Sequence, residues 1–363
     1  MTEIEHPRRV PALVTYLEPF RIIQGPEDSW QCSIEDVNSA NWNYVQLHEL
    51  VGGIDVGLPP PYHLVMSLDG ALAIPPIDKL RSDQEAVEFF NRCLAALLLG
   101  GVFCNSITLD NLQLGSIIDW KYLRVHSPAH SGINQFHHRI RMKKASPMEA
   151  IALYKPRVVT FDTLQNAATV GLGVLSRIPE LSAEFLLKGV TGHARRDWGT
   201  ALSNLWVAVE QLTQHLWTLH VVSQEKDEEH RIPGRKDQLA DVRTWTIAAR
   251  HELLAQKGVV SKLLLSHLAN ARRARNELAH TGKHPSKRAS ESAYSSICGL
   301  LELCLDGEQL PFLSIDLENH SISDPFSPID NSSLKPEFWM EIPKLPGEHE
   351  LELDEAKRRS RER

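Results

Sequence analysis

One short segment, HLANARRARNELAHTGKH at residues 267–284, carries side chains that can handle a phosphate group and a proton. Within it, Arg275, Asn276 and His280 are close together in the sequence. An arginine guanidinium binds phosphate oxygens with two parallel hydrogen bonds, and a histidine accepts or donates a proton near neutral pH. We therefore interpret the segment as a candidate site for phosphate binding and proton transfer.

The spacing of apolar residues places this segment on an α-helix. At about 100° per residue, with Leu264 as the origin, Arg275 falls in the middle of the apolar face. The residues that mark this face are Leu264, Leu268, Ala271, Leu278 and Ala279. Asn276 and His280 lie together on its border, and His280 comes in the last turn before Gly282, where the helix dipole favours the protonated ring. A buried, unpaired arginine is costly, so we expect Arg275 to meet a carboxylate, a ring of carbonyls, or a cleft facing a ligand or second subunit.

The six residues RNELAH, at 275–280, form an R-x(4–6)-H motif with asparagine directly after the arginine. In this respect the chain resembles the HEPN superfamily (higher eukaryotes and prokaryotes nucleotide-binding). The segment RDWGTALSNLWVAVEQL, at 196–212, is similar to the long helix that precedes the motif helix in many HEPN domains and carries an inward polar residue. Here Glu210 would be that residue. The resemblance covers about residues 195–306.

Members of this superfamily that keep the motif are typically metal-independent endoribonucleases of toxin–antitoxin and antiviral defence systems. The resemblance implies that RNA is cut to 2′,3′-cyclic phosphate and 5′-OH ends, with no cofactor. His280 would transfer protons, Arg275 would stabilise the phosphate, Asn276 would position either group, and Glu210 would support them. It also implies a homodimer in which two motif helices face each other, and an antitoxin or other defence-system partner.

Basic residues are concentrated around the motif. Residues 261–290 hold seven lysines and arginines and one acid, although the whole chain has a net charge of −7. We expect four of the basic residues to contact RNA: Arg272, Lys283, Lys287 and Arg288. A second basic run, HHRIRMKK at 137–144, is interpreted as a solvated strand or loop rather than an RNA-binding surface.

Other interpretations of the motif remain open at this stage. Arg275 could be a structural residue bonded to an acid, with His280 capping a helix end. The helical part could be a non-catalytic HEPN adaptor, a nucleotide-binding partner of a separate enzyme, or the dimerisation platform of a ligand-responsive regulator. No HExxH or compact His, Asp and Cys set is present, so we expect no metal site.

The elements that must position these residues divide the chain into three parts. We predict an α+β domain of unknown role at 1–158, an all-α HEPN-like helical bundle at 159–306 and a Pro-rich acidic tail at 307–363 with a short strand near 312–317. In the first part we predict strands at 62–68 and 106–118 and a helix at 86–99, capped by Ser82 and Glu85. The predicted helices of the bundle are 161–177, 182–192, 198–222, 237–257, 259–281 and 288–305.

Composition places the chain among ordinary globular proteins. Of its 363 residues, 42% are hydrophobic and 23% are charged, which excludes collagen-like and wholly disordered chains. The five cysteines form no CxxC pair, so a disulfide scaffold is not expected. We find no signal-peptide pattern and no apolar run long enough to span a bilayer, and we expect a cytoplasmic protein without membrane contact.

Overall fold

Alternating and β-branched residues in the first part of the chain form a curved antiparallel sheet. The computed structural model describes residues 8–27, 29–78, 80, 82–126, 130–224, 232, 234–321, 354–355 and 357–359. The strands are β1 Arg9–Tyr16, β2 Ile22–Gln24, β3 Leu50–Ile54, β4 Leu64–Ser67, β5 Ala71–Ile74, β6 Gln113–Ile118, β7 Tyr122–Val125 and β8 Val158–Thr160. Six of them are ordered β3-β4-β5-β1-β6-β7 with every neighbouring pair antiparallel, while β2 and β8 form a separate parallel pair.

The six strands curl into a half-barrel because the two outer strands approach each other at one end. A bridge joins Glu49 to Tyr122, and the Leu50 amide donates to the Lys121 carbonyl at 2.8 Å. Side chains alternate between the two faces of the sheet. One face packs into the main hydrophobic core, whereas the other encloses a small cluster rich in alanine, which permits tight curvature. That cluster is Ala12, Val14, Tyr16, Ala71, Ala73, Ile117 and Leu123.

Five α-helices accompany these strands. They are α1 Ile34–Ser39, α2 Tyr44–Leu47, α3 Asp83–Leu99, α4 Gly132–Arg141 and α5 Pro147–Ala150. The predicted cap of α3 is confirmed, since the Ser82 hydroxyl accepts from the Glu85 amide at 3.1 Å and the Ser82 amide donates to the Glu85 carboxylate at 2.9 Å. The interpretation of 137–144 as a solvated strand or loop is wrong. Its first five residues end α4, and both His137 and Arg141 are buried.

Seven further helices make up the remainder of the main body. They are α6 Phe161–Arg177, α7 Ala183–Ala194, α8 Trp198–Trp217, α9 Arg235–Ala240, α10 Ile247–Gln256, α11 Lys262–Thr281 and α12 Lys287–Cys304. The predicted fold class, an α+β region followed by an all-α region, is confirmed. The single helix predicted at 237–257 is wrong, because Asp241 adopts an extended conformation and its carboxylate accepts hydrogen bonds from the Arg243 amide and the Thr244 hydroxyl, which makes a turn.

Residues after α12 differ from the prediction. The short strand expected near 312–317 is wrong, since Pro311–Ser314 and Leu317–His320 form 3-10 turns. Phe312 is fully buried in the main core, which contains residues of both the sheet and the helices. Most of the predicted tail lies outside the described residues, and the boundaries predicted at 158 and 306 stay predictions.

Helices α3 and α6 pack with their backbones almost in contact. A Cβ added to Gly171 would lie 1.9 Å from the Ala96 carbonyl oxygen, and one added to Gly100 would lie 2.2 Å from the Ala167 carbonyl oxygen. Neither contact can be relieved cheaply, because the atoms that the added Cβ would meet are backbone atoms rather than the end of a flexible side chain. Glycine at these two positions therefore sets the distance between the two helices.

We expect Gly171→Ala to lower the free energy of unfolding by about 1–3 kcal/mol through overpacking. Gly173→Ala, on the same helix, is the matched control because nothing lies within 4 Å of its added Cβ. That substitution should raise stability by up to about 1 kcal/mol through helix propensity. Urea unfolding of both variants measures the difference. Equal stabilisation by the two substitutions would show that α3 and α6 do not pack closely.

Candidate active site

Helix α11 carries the RNELAH motif and ends as the sequence predicts. Its first turn is capped by the Ser261 hydroxyl, which accepts from the Leu264 amide at 3.2 Å. It ends at Gly282, whose φ of +69° is favourable for glycine and whose amide donates to the Leu278 carbonyl at 3.0 Å. Leu264, Leu268 and Ala271 are buried against the neighbouring helices, so the first half of α11 is fixed in the core.

The motif lies on the second half of α11, where the helix emerges from the core. Asn276, Ala279 and His280 are exposed, and Arg275 is only half-buried. The prediction that Ala279 is buried and that Arg275 lies in the middle of a buried face is therefore wrong. The face is buried as far as Ala271, and every later residue of α11 is half-buried or exposed.

The Arg275 guanidinium has no ion pair with any residue that the structure describes. Its Nη1 donates to the Asn276 Oδ1 atom at 3.4 Å, a long and weak hydrogen bond. A structural arginine buried in a bundle would need a carboxylate partner. Because the Arg275 side chain is half-buried and partly solvated, the charge is tolerated without one and remains available for an anion.

Helix geometry relates the three motif residues to one another. Asn276 and His280 are four residues apart and lie on one side of α11. Arg275 and His280 are separated by about 7.5 Å along the helix axis and by roughly 140° around it. Within one chain, the Arg275 and His280 side chains therefore start from different sides of α11. The Arg275 guanidinium reaches toward the His280 side by its hydrogen bond to Asn276.

Glu210 lies on α8 with an aromatic partner rather than a basic one. It is half-buried, and its Oε1 atom accepts a hydrogen bond from the Trp206 indole nitrogen at 2.6 Å. The Trp206 ring in turn meets the His251 ring edge-on, with ring centroids 6.4 Å apart. Glu210 is thus linked through Trp206 to His251, between α8 and α10. The motif residues lie on the adjacent helix α11.

His251, which the sequence analysis missed, connects this group to α11. Its Nε2 atom lies 2.9 Å from the Thr213 hydroxyl, and the side chain is buried. Burial, together with the positive charge of Arg272, lowers the pKa of His251 to about 4. Arg272 is half-buried and lies close enough to His251 for its charge to act on the ring. A histidine three residues before the buried Leu254 was the available signal, because that spacing places both on one helix face.

The other basic residues predicted to contact RNA lie at the exposed end of α11 and the start of α12. Lys283 pairs with Glu277 at 2.8 Å, and Lys287 lies 3.5 Å from Glu291. Arg288 is exposed and has no ion pair with a described residue. Exposed ion pairs contribute only about 0–1 kcal/mol, so a phosphate can replace these carboxylates at small cost.

We expect His251 to make the protein less stable in acid. Its folded-state pKa of about 4 lies below the ordinary value of 6.5, so the unfolded chain binds the proton first as the pH falls. The contribution of neutral His251 to the free energy of unfolding is therefore fully present above about pH 6.5 and decreases toward pH 4. Between about pH 7.5 and 5, wild type should lose roughly 2 kcal/mol more unfolding free energy than His251→Gln, which cannot titrate.

Urea unfolding at the two pH values measures this difference. His130→Gln is the control for the substitution itself, because His130 is exposed. The same pH dependence in wild type and His251→Gln would contradict a buried, neutral His251.

Comparisons with known proteins identify no relative: no protein-family model, no curated protein and no solved structure matches this chain. Among the described residues, no group of three or more His, Cys, Asp and Glu side chains is arranged to hold a metal ion. None of the helices in this part of the chain is both long and apolar enough to cross a membrane.

Proposed function

We propose that this protein is an endoribonuclease of HEPN type that cleaves RNA without a metal ion. The observation that supports this most is the state of Arg275, which is half-buried, has no carboxylate partner among the described residues, and donates one long hydrogen bond to the Asn276 amide oxygen. A guanidinium that no carboxylate occupies can present two parallel N–H groups to a phosphate. The exposed His280 on the next turn supplies a group for proton transfer.

The proposed reaction uses the ribose 2′-OH of the RNA as its nucleophile. A bond forms between O2′ and the adjacent phosphorus while the bond from phosphorus to O5′ breaks. One proton leaves the 2′-OH and one is delivered to the departing 5′-oxygen, which yields a 2′,3′-cyclic phosphate and a 5′-OH. His280 takes part in proton transfer, Arg275 donates two hydrogen bonds to the non-bridging oxygens, and Asn276 orients either group.

The same proposal includes a homodimer formed through the last turns of α11. The reaction needs one group to accept a proton and another to donate one, and a single chain supplies only one His280 for both. A second chain would supply a second His280. The half-buried Leu278 and the exposed Ala279 lie beside Arg275 and His280 at the uncovered end of α11. A second chain packed there would bury these apolar groups and bring two motifs together. The RNA path would then be lined on both sides by Lys283, Lys287 and Arg288. Glu210, on α8, would support the motif residues.

We expect the purified protein to be a dimer at micromolar concentration and to cleave RNA in the presence of EDTA. Light scattering measures the first property, and gel analysis of an RNA substrate measures the second. A monomer would contradict the dimer, and activity that is lost in EDTA and restored by magnesium or zinc would contradict metal-independent chemistry. An inactive protein that still binds a separate enzyme would favour the adaptor interpretation.

In a cell, such an activity would serve as a toxin or as an effector of antiviral defence, acting on cytoplasmic RNA and restrained by an antitoxin or another defence-system partner. This role follows from the resemblance to the HEPN superfamily. The N-terminal half-barrel would then sense a trigger, select the substrate or restrain the nuclease.

A further inference from the structure

A cavity of about 470 Å³ opens in the N-terminal region, between the half-barrel strands β1, β6 and β7 and the helices α2 and α4. All of its lining residues precede residue 143, so it is separate from the candidate active site on α11. Its volume falls within the range of about 300–1,000 Å³ that is usual for small-molecule sites. The lining residues that matter here are Tyr16, Tyr44, Gln113, Tyr122, Arg124 and Arg141.

A buried arginine is fixed at the closed end of the cavity. Arg141 donates from Nε and Nη2 to the two oxygens of Asp69 at 2.6 and 2.7 Å, from Nη2 to the Ser67 hydroxyl at 3.1 Å, and from Nη1 to the Leu123 carbonyl at 2.8 Å. Burial alone would raise the pKa of Asp69, but Arg141 holds it well below its usual range. Since a guanidinium has five N–H groups, one on Nη1 remains for a ligand.

Tyr16 provides a second buried donor next to this arginine. Only 3% of the residue is exposed, and its ring stacks on His137 with centroids 3.8 Å apart. The hydroxyl makes no hydrogen bond to any residue that the structure describes. Since Tyr16 lines the cavity, its hydroxyl can donate a hydrogen bond to a ligand there.

The open end of the cavity combines aromatic rings with positive charge. Tyr44 and Tyr122 line it, and the ammonium groups of Lys143 and Lys121 lie 4.8 and 5.1 Å from the centres of these two rings. Arg124 also lines the cavity and is exposed. The lining includes two arginines and two histidines but neither an aspartate nor a glutamate. This combination suits a planar ring that carries an anionic group.

We propose that the cavity binds a mononucleotide. The base lies against Tyr44 and Tyr122, the phosphate meets Arg124 and the neighbouring lysines, and the Tyr16 hydroxyl and the remaining Arg141 N–H reach polar atoms at the buried end. Stacking on tyrosine and charge-assisted hydrogen bonds are the two interactions that recognise such a ligand. This binding does not depend on the proposed ribonuclease activity, because no motif residue of α11 takes part in it.

Calorimetric titration of the full-length protein tests the proposal. The ligands are AMP, GMP, CMP and UMP, followed by the matching nucleoside and by inorganic phosphate alone. We expect at least one monophosphate to saturate one site per chain and to bind about tenfold or more tightly than either fragment, since each contact class contributes separately. Failure of all four monophosphates to bind, or equal binding by the nucleoside, would overturn the proposal.

Matched variants locate the bound nucleotide. Tyr44→Ala should weaken binding about tenfold or more through lost stacking. Tyr62→Ala is the control, since Tyr62 lies outside this cavity and is 41% exposed against 40% for Tyr44. Tyr16→Phe keeps the ring and removes the hydroxyl, and should also weaken binding, whereas His280→Ala should bind like wild type. Wild-type affinity in Tyr44→Ala and Tyr16→Phe would place the nucleotide elsewhere and overturn the assignment. Loss of binding in His280→Ala would do the same.

Discussion

His280→Ala should lower the rate of RNA cleavage by about 10²–10⁴-fold, the usual contribution of a general acid–base group. The side chain is exposed on the last turn of α11, so its removal should change the free energy of unfolding by no more than about 0.5 kcal/mol. RNA affinity should also persist, because the basic residues around the motif are untouched. Single-turnover cleavage, a melting curve and RNA binding measure the three quantities.

His284→Ala is the matched control for this substitution. His284 is also exposed and comes four residues after His280. It lies beyond Gly282, and therefore outside α11 and the motif. We expect it to cleave RNA at the wild-type rate. If expression of wild type arrests growth, His280→Ala should restore colonies and His284→Ala should not. Normal cleavage by a folded His280→Ala protein would remove the assignment of proton transfer to this residue.

Arg275→Lys should lower the cleavage rate by about 10²-fold although the positive charge is kept. Lysine cannot present the two parallel N–H groups with which a guanidinium binds phosphate oxygens. The sequence alone suggests that replacing Arg275 also costs stability, because its surroundings would be built around a buried cation. The observed side chain is half-buried with one weak hydrogen bond to Asn276, so we now expect the change in unfolding free energy to stay within about 0.5 kcal/mol.

Arg273→Lys separates this geometric effect from bulk charge. Arg273 is exposed on the same helix and has no role in the proposed chemistry, so the substitution should leave the cleavage rate unchanged. Both variants are compared on one RNA at one salt concentration, since phosphate contacts weaken with salt. If Arg275→Lys cleaves RNA at the wild-type rate, only positive potential matters at this position. That result would contradict a bidentate contact between Arg275 and the phosphate.

Features set by neighbouring residues were predictable from the sequence. The helix at 161–177 follows from apolar residues at helical spacing and matches α6, and the Ser82–Glu85 cap and the end of α11 at Gly282 follow from local hydrogen bonding and backbone conformation. These interactions span only a few residues, so short patterns encode them.

Features set by distant partners were not predictable. The run at 137–144 is charged and suggests a solvated segment, yet Arg141 is buried because Asp69, 72 residues away, neutralises it. The order of the six strands depends on pairings between segments up to about a hundred residues apart, for which no local pattern exists. The exposure of Ala279 is a similar case, because it depends on which elements pack against the end of α11 rather than on the helix itself.

The ends of the cleaved RNA test the central proposal most directly. A 5′-labelled and a 3′-labelled RNA of one sequence are incubated with the protein in EDTA, and the products are treated with polynucleotide kinase and with mild acid. Attack by the 2′-OH should leave a 2′,3′-cyclic phosphate that mild acid opens and a 5′-OH that kinase phosphorylates directly. It should also leave an RNA with 2′-deoxyribose at the cleavage position intact. Products with 5′-phosphate and 3′-OH ends, or cleavage of the deoxy-substituted RNA, would contradict the proposed chemistry of Arg275 and His280.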